Sequence, residues 1–251
     1  MSPTARNTLV TMALWAACAL PAAAASTTLY DASTGGLPSA QGWTVLAAGA
    51  PAAQGVASGL YSLDTTGAGV GLYGNGRLSP VALDTAIGFD LSFSLRVLGE
   101  SHTSTNRAGF SFLMLGSNPT QGLELGFWSG NVWAQDYVPA DPDRFVHGAD
   151  AAFDTTAALQ TYTLAVRNQQ FTFSAGATLL LSGSLRNYTN EGAPYTTPNF
   201  LFFGDNTTRG AASVQIGQMT ITPVPEPAAS ALLLVGLAVL AWRVPRPRRG
   251  S

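Results

Sequence analysis

The residues best suited to chemistry in this sequence are two carboxylates, Glu124 and Asp136. Cleavage of a glycosidic bond needs a pair of acidic side chains that flank the bond. Glu124 and Asp136 lie on two predicted strands, 123–128 and 132–137, joined by a short turn at 129–131, so their side chains could approach each other. An ordinary surface pair is the competing interpretation, because the strand register is open. We favour the surface pair, which predicts a protein that is not an enzyme.

Nucleophilic and phosphate chemistry find no support in the sequence. The only cysteine, Cys18, lies in an apolar N-terminal segment, and both histidines, His102 and His147, stand in polar loops. A serine nucleophile of the hydrolase type needs a Gly-x-Ser-x-Gly elbow, and a phosphate loop needs glycines followed by lysine and a helix. The chain has neither pattern, so the glycines of 69–76 are better explained as turn residues.

Acidic loop residues offer the oxygen ligands that calcium prefers. Asp141 and Asp143 stand close together in a predicted loop, and Asp205-Asn206 follows a predicted strand. The spacing matches no defined calcium-binding loop, so a solvated acidic loop is the favoured interpretation. Calcium at Asp141 and Asp143 is the alternative, and no other cofactor is expected.

Aromatic residues could supply a platform for a sugar, because a ring covers the apolar face of a pyranose while polar neighbours bind its hydroxyls. Trp128 and Trp133 flank the turn between the two strands, and Tyr137 ends the second strand. These three are the predicted glycan-binding residues, with Trp43 and Tyr195 as further candidates. A cross-strand tryptophan pair also suits a hydrophobic core, and this is the favoured interpretation of Trp128 and Trp133.

Alternation of apolar and polar residues, the pattern of a half-buried strand, dominates the chain before residue 223. The clearest case is 89–97, where five apolar side chains alternate with four polar ones. Further predicted strands are 59–64, 109–115, 123–128, 132–137, 161–167, 171–174, 178–185, 199–204 and 214–222. Asn168-Gln169 and Asn75-Gly76 are predicted turns, and 150–159 is predicted to be a short helix or a loop. This many strands in one domain predicts two stacked antiparallel sheets in a jelly-roll sandwich.

One stretch carries a resemblance to a fold family. Residues 161–185 read Tyr-x-Leu-x-Val, a turn, Phe-x-Phe and then Leu-x-Leu-x-Gly-x-Leu. This order resembles the central hairpins of the concanavalin A-like and laminin G-like sandwiches, which implies that a strand near Leu29 lies beside the closing strand at 214–221. Glycoside hydrolases of that fold carry Glu-x-Asp-x-x-Glu on one strand. The stretch 123–128 has only Glu124, so that catalytic motif is not matched.

The N-terminal segment predicts export. Arg6 precedes an apolar stretch at 9–20, and small residues end at Ala25, so we expect a secretory signal peptide at 1–25. The β-sandwich domain, 26–222, then has no cysteine and must be held by packing alone. It carries seven arginines against thirteen carboxylates, a formal charge of −6. Without a basic stripe to neutralise phosphates, a nucleic-acid partner is not expected.

The last part of the chain, 223–251, reads as a sorting signal. The tripeptide Pro225, Glu226 and Pro227 precedes an apolar run at 228–242. The arginines that close the chain are Arg243, Arg246, Arg248 and Arg249. This three-part order resembles the PEP-CTERM signal of Gram-negative bacteria. The resemblance implies that exosortase, a membrane-embedded, cysteine-dependent transpeptidase-like enzyme, recognises the tripeptide and that the tail is removed.

The length of the apolar run fits a temporary anchor. As a transmembrane helix, the 15 residues of 228–242 would span about 22 Å, against a hydrocarbon core of ~30 Å. The arginines behind it should stay cytoplasmic, which leaves the sandwich on the far side of the inner membrane. An ordinary single-pass anchor is the alternative to processing.

These features together predict an exported, non-catalytic protein of the cell surface or extracellular matrix. Extracellular polysaccharide is an expected partner besides the processing enzyme, and the protein is expected either to bind glycan or to act as a matrix component. A plain protein-interaction module is a third possibility. A glycan-active hydrolase or lyase that uses Glu124 and Asp136 is the alternative function.

Overall fold

Alternating strands of this chain assemble into two antiparallel sheets, which confirms the predicted all-β sandwich. The computed structural model describes residues 24–67 and 69–225. The strands of the described part are β1 Thr27–Asp31, β2 Thr44–Ala48, β3 Ala53–Ala57, β4 Leu60–Asp64, β5 Leu72–Leu78, β6 Phe89–His102, β7 Ser111–Leu115, β8 Gly122–Phe127, β9 Asn131–Tyr137, β10 Phe145–Ala152, β11 Gln160–Arg167, β12 Gln170–Ala175, β13 Thr178–Ser184, β14 Phe200–Asp205 and β15 Gly210–Pro223. Short 3₁₀ helices lie at Ala32–Thr34, Pro38–Gln41 and Thr189–Glu191.

The strand order is that of a sandwich with long crossovers between its sheets. The first sheet runs β13-β12-β11-β6-β15-β4-β3, with β1 also paired to β15. The second sheet runs β10-β9-β8-β7-β14-β5-β2. β1 and β15 pair with Thr27 opposite Ile221, which confirms that the opening and closing strands lie side by side.

The core between the sheets is built by the alternation that the sequence shows. On β6, Phe89, Leu91 and Phe93 are buried while the polar residues between them are partly exposed. Phe93 stacks on Phe112 of β7, with ring centroids 4.7 Å apart, and so joins the two sheets. Burial of such aromatic side chains, each worth roughly 1.5–3 kcal/mol, must hold a domain without disulfides together.

The outer face of the second sheet is also covered, which alternation alone does not predict. All six residues of β8 are buried. A second apolar cluster contains Leu113, Leu115, Tyr188, Phe200 and Phe202. It lies beneath the segment 186–199, which we call the strap.

The prediction of a turn at Asn75-Gly76 is wrong, since both residues lie inside β5. The glycines of this strand make room for rings of the second cluster. A Cβ on Gly76 would come within 2.8 Å of the Phe200 ring, and one on Gly74 within 2.3 Å of the Phe202 ring. Close ring packing therefore explains these glycines. The prediction of a helix or loop at 150–159 holds only in part, because β10 extends to Ala152.

The predicted signal peptide and most of the predicted sorting signal lie outside the described residues. This holds for 1–23, for Glu226 and Pro227, and for the apolar run and arginines behind them. Within 24–67 and 69–225, no helix has the length and apolar character needed to cross a bilayer.

Candidate functional site

Glu124 and Asp136 lie on opposite faces of the second sheet, so they form neither the favoured surface pair nor the catalytic pair that is its alternative. β8 and β9 pair with Leu125 opposite Ala134, and the same antiparallel register continues to Leu123 opposite Asp136. Leu123 belongs to the core between the sheets. Because neighbouring residues of a strand point to opposite faces, Asp136 shares that side and Glu124 points outward.

Glu124 is a fully buried acid on an outward-facing strand position, with 0% of its side chain exposed. Its Oε1 accepts a hydrogen bond from Asn206 Nδ2 at 2.9 Å, and its Oε2 accepts one from Tyr195 Oη at 3.2 Å. Arg107 Nη2 lies 3.6 Å from Oε1 and completes an ion pair. Both carboxylate oxygens are therefore occupied by neighbouring side chains, as a buried charge requires.

Arg107 ties the site to the loop before β7. Its Nη2 donates to Asn206 Oδ1 at 2.8 Å and to Asn206 O at 3.2 Å. Its guanidinium lies over the Phe145 ring, 4.8 Å from the centroid. Trp128 Nε1 donates to Arg107 O at 3.1 Å, which fixes the backbone behind the guanidinium. Arg107 could not be predicted from the sequence, because an isolated arginine in a loop belongs to no recognisable pattern.

The strap carries Tyr195 and is anchored at several points. Backbone hydrogen bonds of 2.7 Å join Arg186 and Gly122 in both directions, and Asn199 N donates to Gly116 O at 3.0 Å. Between these ends, the buried Tyr188 donates its hydroxyl to Gln135 O at 2.6 Å. These bonds hold the strap over β8 and β9, and so fix its tyrosines against the sheet.

A pocket of about 610 Å³ opens between the strap and the outer face of the second sheet. Phe200 and Phe202 of β14 line it, together with Leu113 of β7. Tyr195 and Asn206, the two residues that donate hydrogen bonds to the Glu124 carboxylate, also line it. The volume falls within the range of small-ligand sites, which are mostly apolar with a few placed polar groups.

Burial changes the acid–base properties of two residues that line the pocket. It raises the pKa of Tyr195 well above its ordinary value, with the Glu124 charge acting in the same direction. Desolvation also raises the pKa of Asp205 from 3.8 to about 7. Thr207 N donates to Asp205 Oδ1 at 2.9 Å, which acts against this rise by favouring the charged form. Shifted groups of this kind concentrate at functional sites.

The tryptophans predicted to bind glycan lie elsewhere, at the β8–β9 hairpin. Trp133 has 0% exposure, and the His147 ring stacks on it with centroids 4.4 Å apart. Trp128 is partly buried, and His102 stacks on it at 4.1 Å. Tyr137 donates its hydroxyl to Glu191 at 2.6 Å. A sugar would have to displace a histidine to stack on either indole, and glycan binding by these three residues stays a prediction.

The two aspartates considered for calcium are bound to protein groups. Asp143 pairs with Arg209, and its Oδ2 accepts from Asn106 Nδ2 at 2.9 Å. Asp141 Oδ1 accepts from Asp143 N at 2.8 Å. The Arg209 hydrogen bond, followed by the Asn106 one, lowers the pKa of Asp143. Within 24–67 and 69–225 no group of three or more His, Cys, Asp and Glu is arranged to hold a metal.

Comparison with known proteins supports the fold. No protein-family model and no curated protein sequence matches the chain. Among solved structures, a carbohydrate esterase from Shiga toxin-encoding bacteriophage phi24B is similar with a TM-score of 0.57 and 15% identity, over 79% of this chain and 99% of that one. Alginate lyase A1-II' of polysaccharide lyase family 7 gives a TM-score of 0.42 and 13% identity, over 69% and 84% of the two chains. The binding domain of Botulinum neurotoxin DC gives 0.44 and 11%, over 78% and 46%.

The similarity to the phage esterase is one of fold, since 15% identity is too low to carry function. The chain is thus an all-β protein of two antiparallel sheets, which is consistent with the concanavalin A-like sandwich expected from 161–185.

Proposed function

We propose that the protein is an exported glycan-binding protein whose ligand site is the pocket between the strap and the second sheet. This proposal depends on one observation, that aromatic side chains and polar side chains held in place by hydrogen bonds line the same pocket. Phe200 and Phe202 offer apolar surface, while Tyr195 and Asn206 offer a hydroxyl and an amide held by Glu124. Sugars present both kinds of surface, with C–H groups on a ring face and hydroxyls around the edge.

Sugar recognition also fits the way in which the site is built. A buried ion pair such as Arg107–Glu124 is a poor source of net stability, because desolvation offsets most of the attraction. It does fix the orientation of Asn206, which contacts both partners. Fixing polar groups before the ligand arrives lowers the entropic cost of binding.

A glycan array followed by titration calorimetry tests this proposal. Leu46 of β2 lines the pocket, so the variant Leu46→Arg places a long charged side chain there. We expect this variant to bind glycan at least about tenfold more weakly than the wild type. Val45→Arg is the matched control, because Val45 is the neighbouring residue with similar exposure, 38% against 39%, and does not line the pocket. Equal binding by both variants would place the glycan elsewhere, and Trp128→Ala then tests the hairpin.

Export and sorting form the second part of the proposal. The signal peptide at 1–25 carries the chain across the inner membrane, and the PEP-CTERM-like tail at 223–251 delays it there until an exosortase-type enzyme acts. The short apolar run and its arginines support this order. Intact-mass analysis of secreted protein should give a chain that ends near Pro225 to Pro227. Retention of Arg243 to Ser251 in that material would contradict processing.

A glycan-active hydrolase or lyase remains the alternative, favoured by the buried Glu124 beside two pocket residues. Without Asp136 as its partner, Glu124 would have to act through Tyr195 or Asn206. Incubation with polysaccharides, followed by assays for new reducing ends and unsaturated products, distinguishes the functions. Fragments made by the wild type and not by Glu124→Gln would favour the enzyme, provided that the variant still folds.

A further inference from the structure

The two sides of the pocket differ in chemistry. The lining residues that come from β2 and β5 are all apolar, namely Leu46, Ala47, Ala48 and Leu72. The polar lining residues come from the strap and from the end of β14, namely Tyr195, Thr197, Asp205 and Asn206. Phe200 and Phe202 add an aromatic surface from the sheet itself. A ligand that fills this space must therefore offer one polar edge and apolar surface in two directions.

An unsubstituted hexose does not meet that requirement. One face of its ring is apolar and can cover a single aromatic surface, while hydroxyls surround the rest. Packed against Phe202, such a sugar would still present hydroxyls to the side chains of Leu46 and Leu72, which offer no hydrogen-bond partner. Burying unpaired hydroxyls costs free energy, so a methyl group in that position is favoured.

The charges of the lining disfavour an anionic sugar. Asp205 is the one ionisable carboxylate among the described lining residues, and no arginine or histidine is among them. Burial already raises the pKa of Asp205 to about 7, so a nearby anion would add a second penalty. Arg107 is nearby, but the charge of Glu124 balances the charge of its guanidinium. The Nη1 atom of Arg107 has no hydrogen-bond partner among the described residues, but it is buried and Arg107 does not line the pocket.

We infer that the pocket takes a neutral sugar residue that carries a methyl-bearing substituent, such as the acetyl group of an N-acetylhexosamine or the methyl group of a 6-deoxyhexose. The inference rests on the proposed glycan-binding function and specifies its substrate class. The substituent lies against Leu46 and Leu72, while the hydroxyls of the ring face Tyr195 and Asn206.

Titration calorimetry with four methyl glycosides tests the inference: N-acetylglucosamine, fucose, glucose and glucuronic acid. We expect either N-acetylglucosamine or fucose to bind at least about fourfold more tightly than glucose. Burying one methyl group contributes ~0.8 kcal/mol, which corresponds to this factor. Glucuronic acid should bind more weakly than glucose. Leu72→Asn should remove the preference for the methyl-bearing sugar.

The matched control for this experiment is Leu78→Asn, on the same strand. Leu78 is exposed and does not line the pocket, so its variant should keep the wild-type preference. The inference would be overturned if glucose or glucuronic acid bound as tightly as the methyl-bearing sugars, or more tightly, and if Leu72→Asn left these affinities unchanged. The proposed glycan-binding function would still stand. Failure of all four sugars and of every glycan on an array would overturn both.

Discussion

Glu124 is the residue around which the polar side of the pocket is organised. The carboxylate is reached by an amide, a phenol and a guanidinium that come from three separate parts of the chain. Alternation along β8 correctly predicts that Glu124 points away from the core. It predicts exposure as well, and that is wrong because the strap covers this face.

Replacing Glu124 by Gln tests the ion pair. The change keeps the size of the side chain but leaves the Arg107 charge buried without a counterion. We expect the free energy of unfolding in urea to fall by ~3 kcal/mol. Asp136→Asn is the control, because it removes a half-exposed partner of Arg186 and should cost at most ~1 kcal/mol. Similar small losses in both variants would contradict the role assigned to Glu124.

Asp205 gives the fold a measurable pH dependence. Its pKa is raised to about 7 in the folded chain from 3.8, so the folded state holds this proton more tightly than the unfolded state. Its contribution to stability is therefore complete below about pH 4 and is lost as the pH rises to about 7.

The variant Asp205→Asn keeps the oxygen that accepts from Thr207 N and cannot lose a proton. Between pH 4 and 7 the difference in unfolding free energy, variant minus wild type, should rise by ~1.4 kcal/mol per pH unit. Urea unfolding of both proteins at pH 4.5, 5.5 and 6.5 measures it. A constant difference across this range would show that Asp205 titrates normally.

At the scale of the elements, β5 shows how packing overrides a local turn signal. Asn75-Gly76 has the residue types of a tight turn, yet rings from β14 lie across the strand and require glycine. Gly74→Ala would bring a Cβ to 2.3 Å from the Phe202 ring and 2.7 Å from Phe203 O. We expect a loss of about 1–3 kcal/mol in unfolding free energy.

The matched control for this variant is Gly55→Ala on β3, where a new Cβ meets nothing within 4 Å. This substitution should change stability by less than about 0.5 kcal/mol, as is usual at open surface positions. Equal effects of the two alanines would mean that Phe202 can move aside at little cost. The Phe202 side chain, which lines the pocket, would then be more mobile than its close packing indicates.

The sequence predicts strands well where one face meets the core and the other meets solvent. β6 and β11 are of this kind, and their alternation is read directly. Strands β2 and β3 escape prediction because they are exposed edge strands with little alternation. The candidate site escapes prediction because it joins Arg107, Glu124 and Asn206, whose spacing in the chain follows no motif.

At the scale of the whole molecule, both proposed processing points lie outside the sandwich. The proposed signal-peptide cleavage after Ala25 precedes β1, and the Pro225–Pro227 tripeptide follows the end of β15 at Pro223. A chain of residues 26–225 should therefore melt within about 2 °C of the full-length chain. A markedly lower melting temperature would mean that the removed segments stabilise the domain.

Removing β1 as well should have a large effect. A chain that starts at residue 32 loses Leu29 and Tyr30, which are 2% and 0% exposed. It also leaves one edge of β15 unpaired along that stretch, while β6 still pairs with the other edge. Each lost side chain contributes roughly 1.5–3 kcal/mol by burial, so we expect this chain to unfold at a much lower urea concentration. An unchanged midpoint would contradict the role of β1 in closing the sheet.

A crystal structure with the tightest-binding sugar from the array would show whether the pocket between the strap and the second sheet holds the glycan. The proposed function predicts density for the sugar between Tyr195 and Phe202, with a hydroxyl within hydrogen-bond distance of Asn206. Sugar density stacked on Trp128 or Trp133, with this pocket empty, would contradict it.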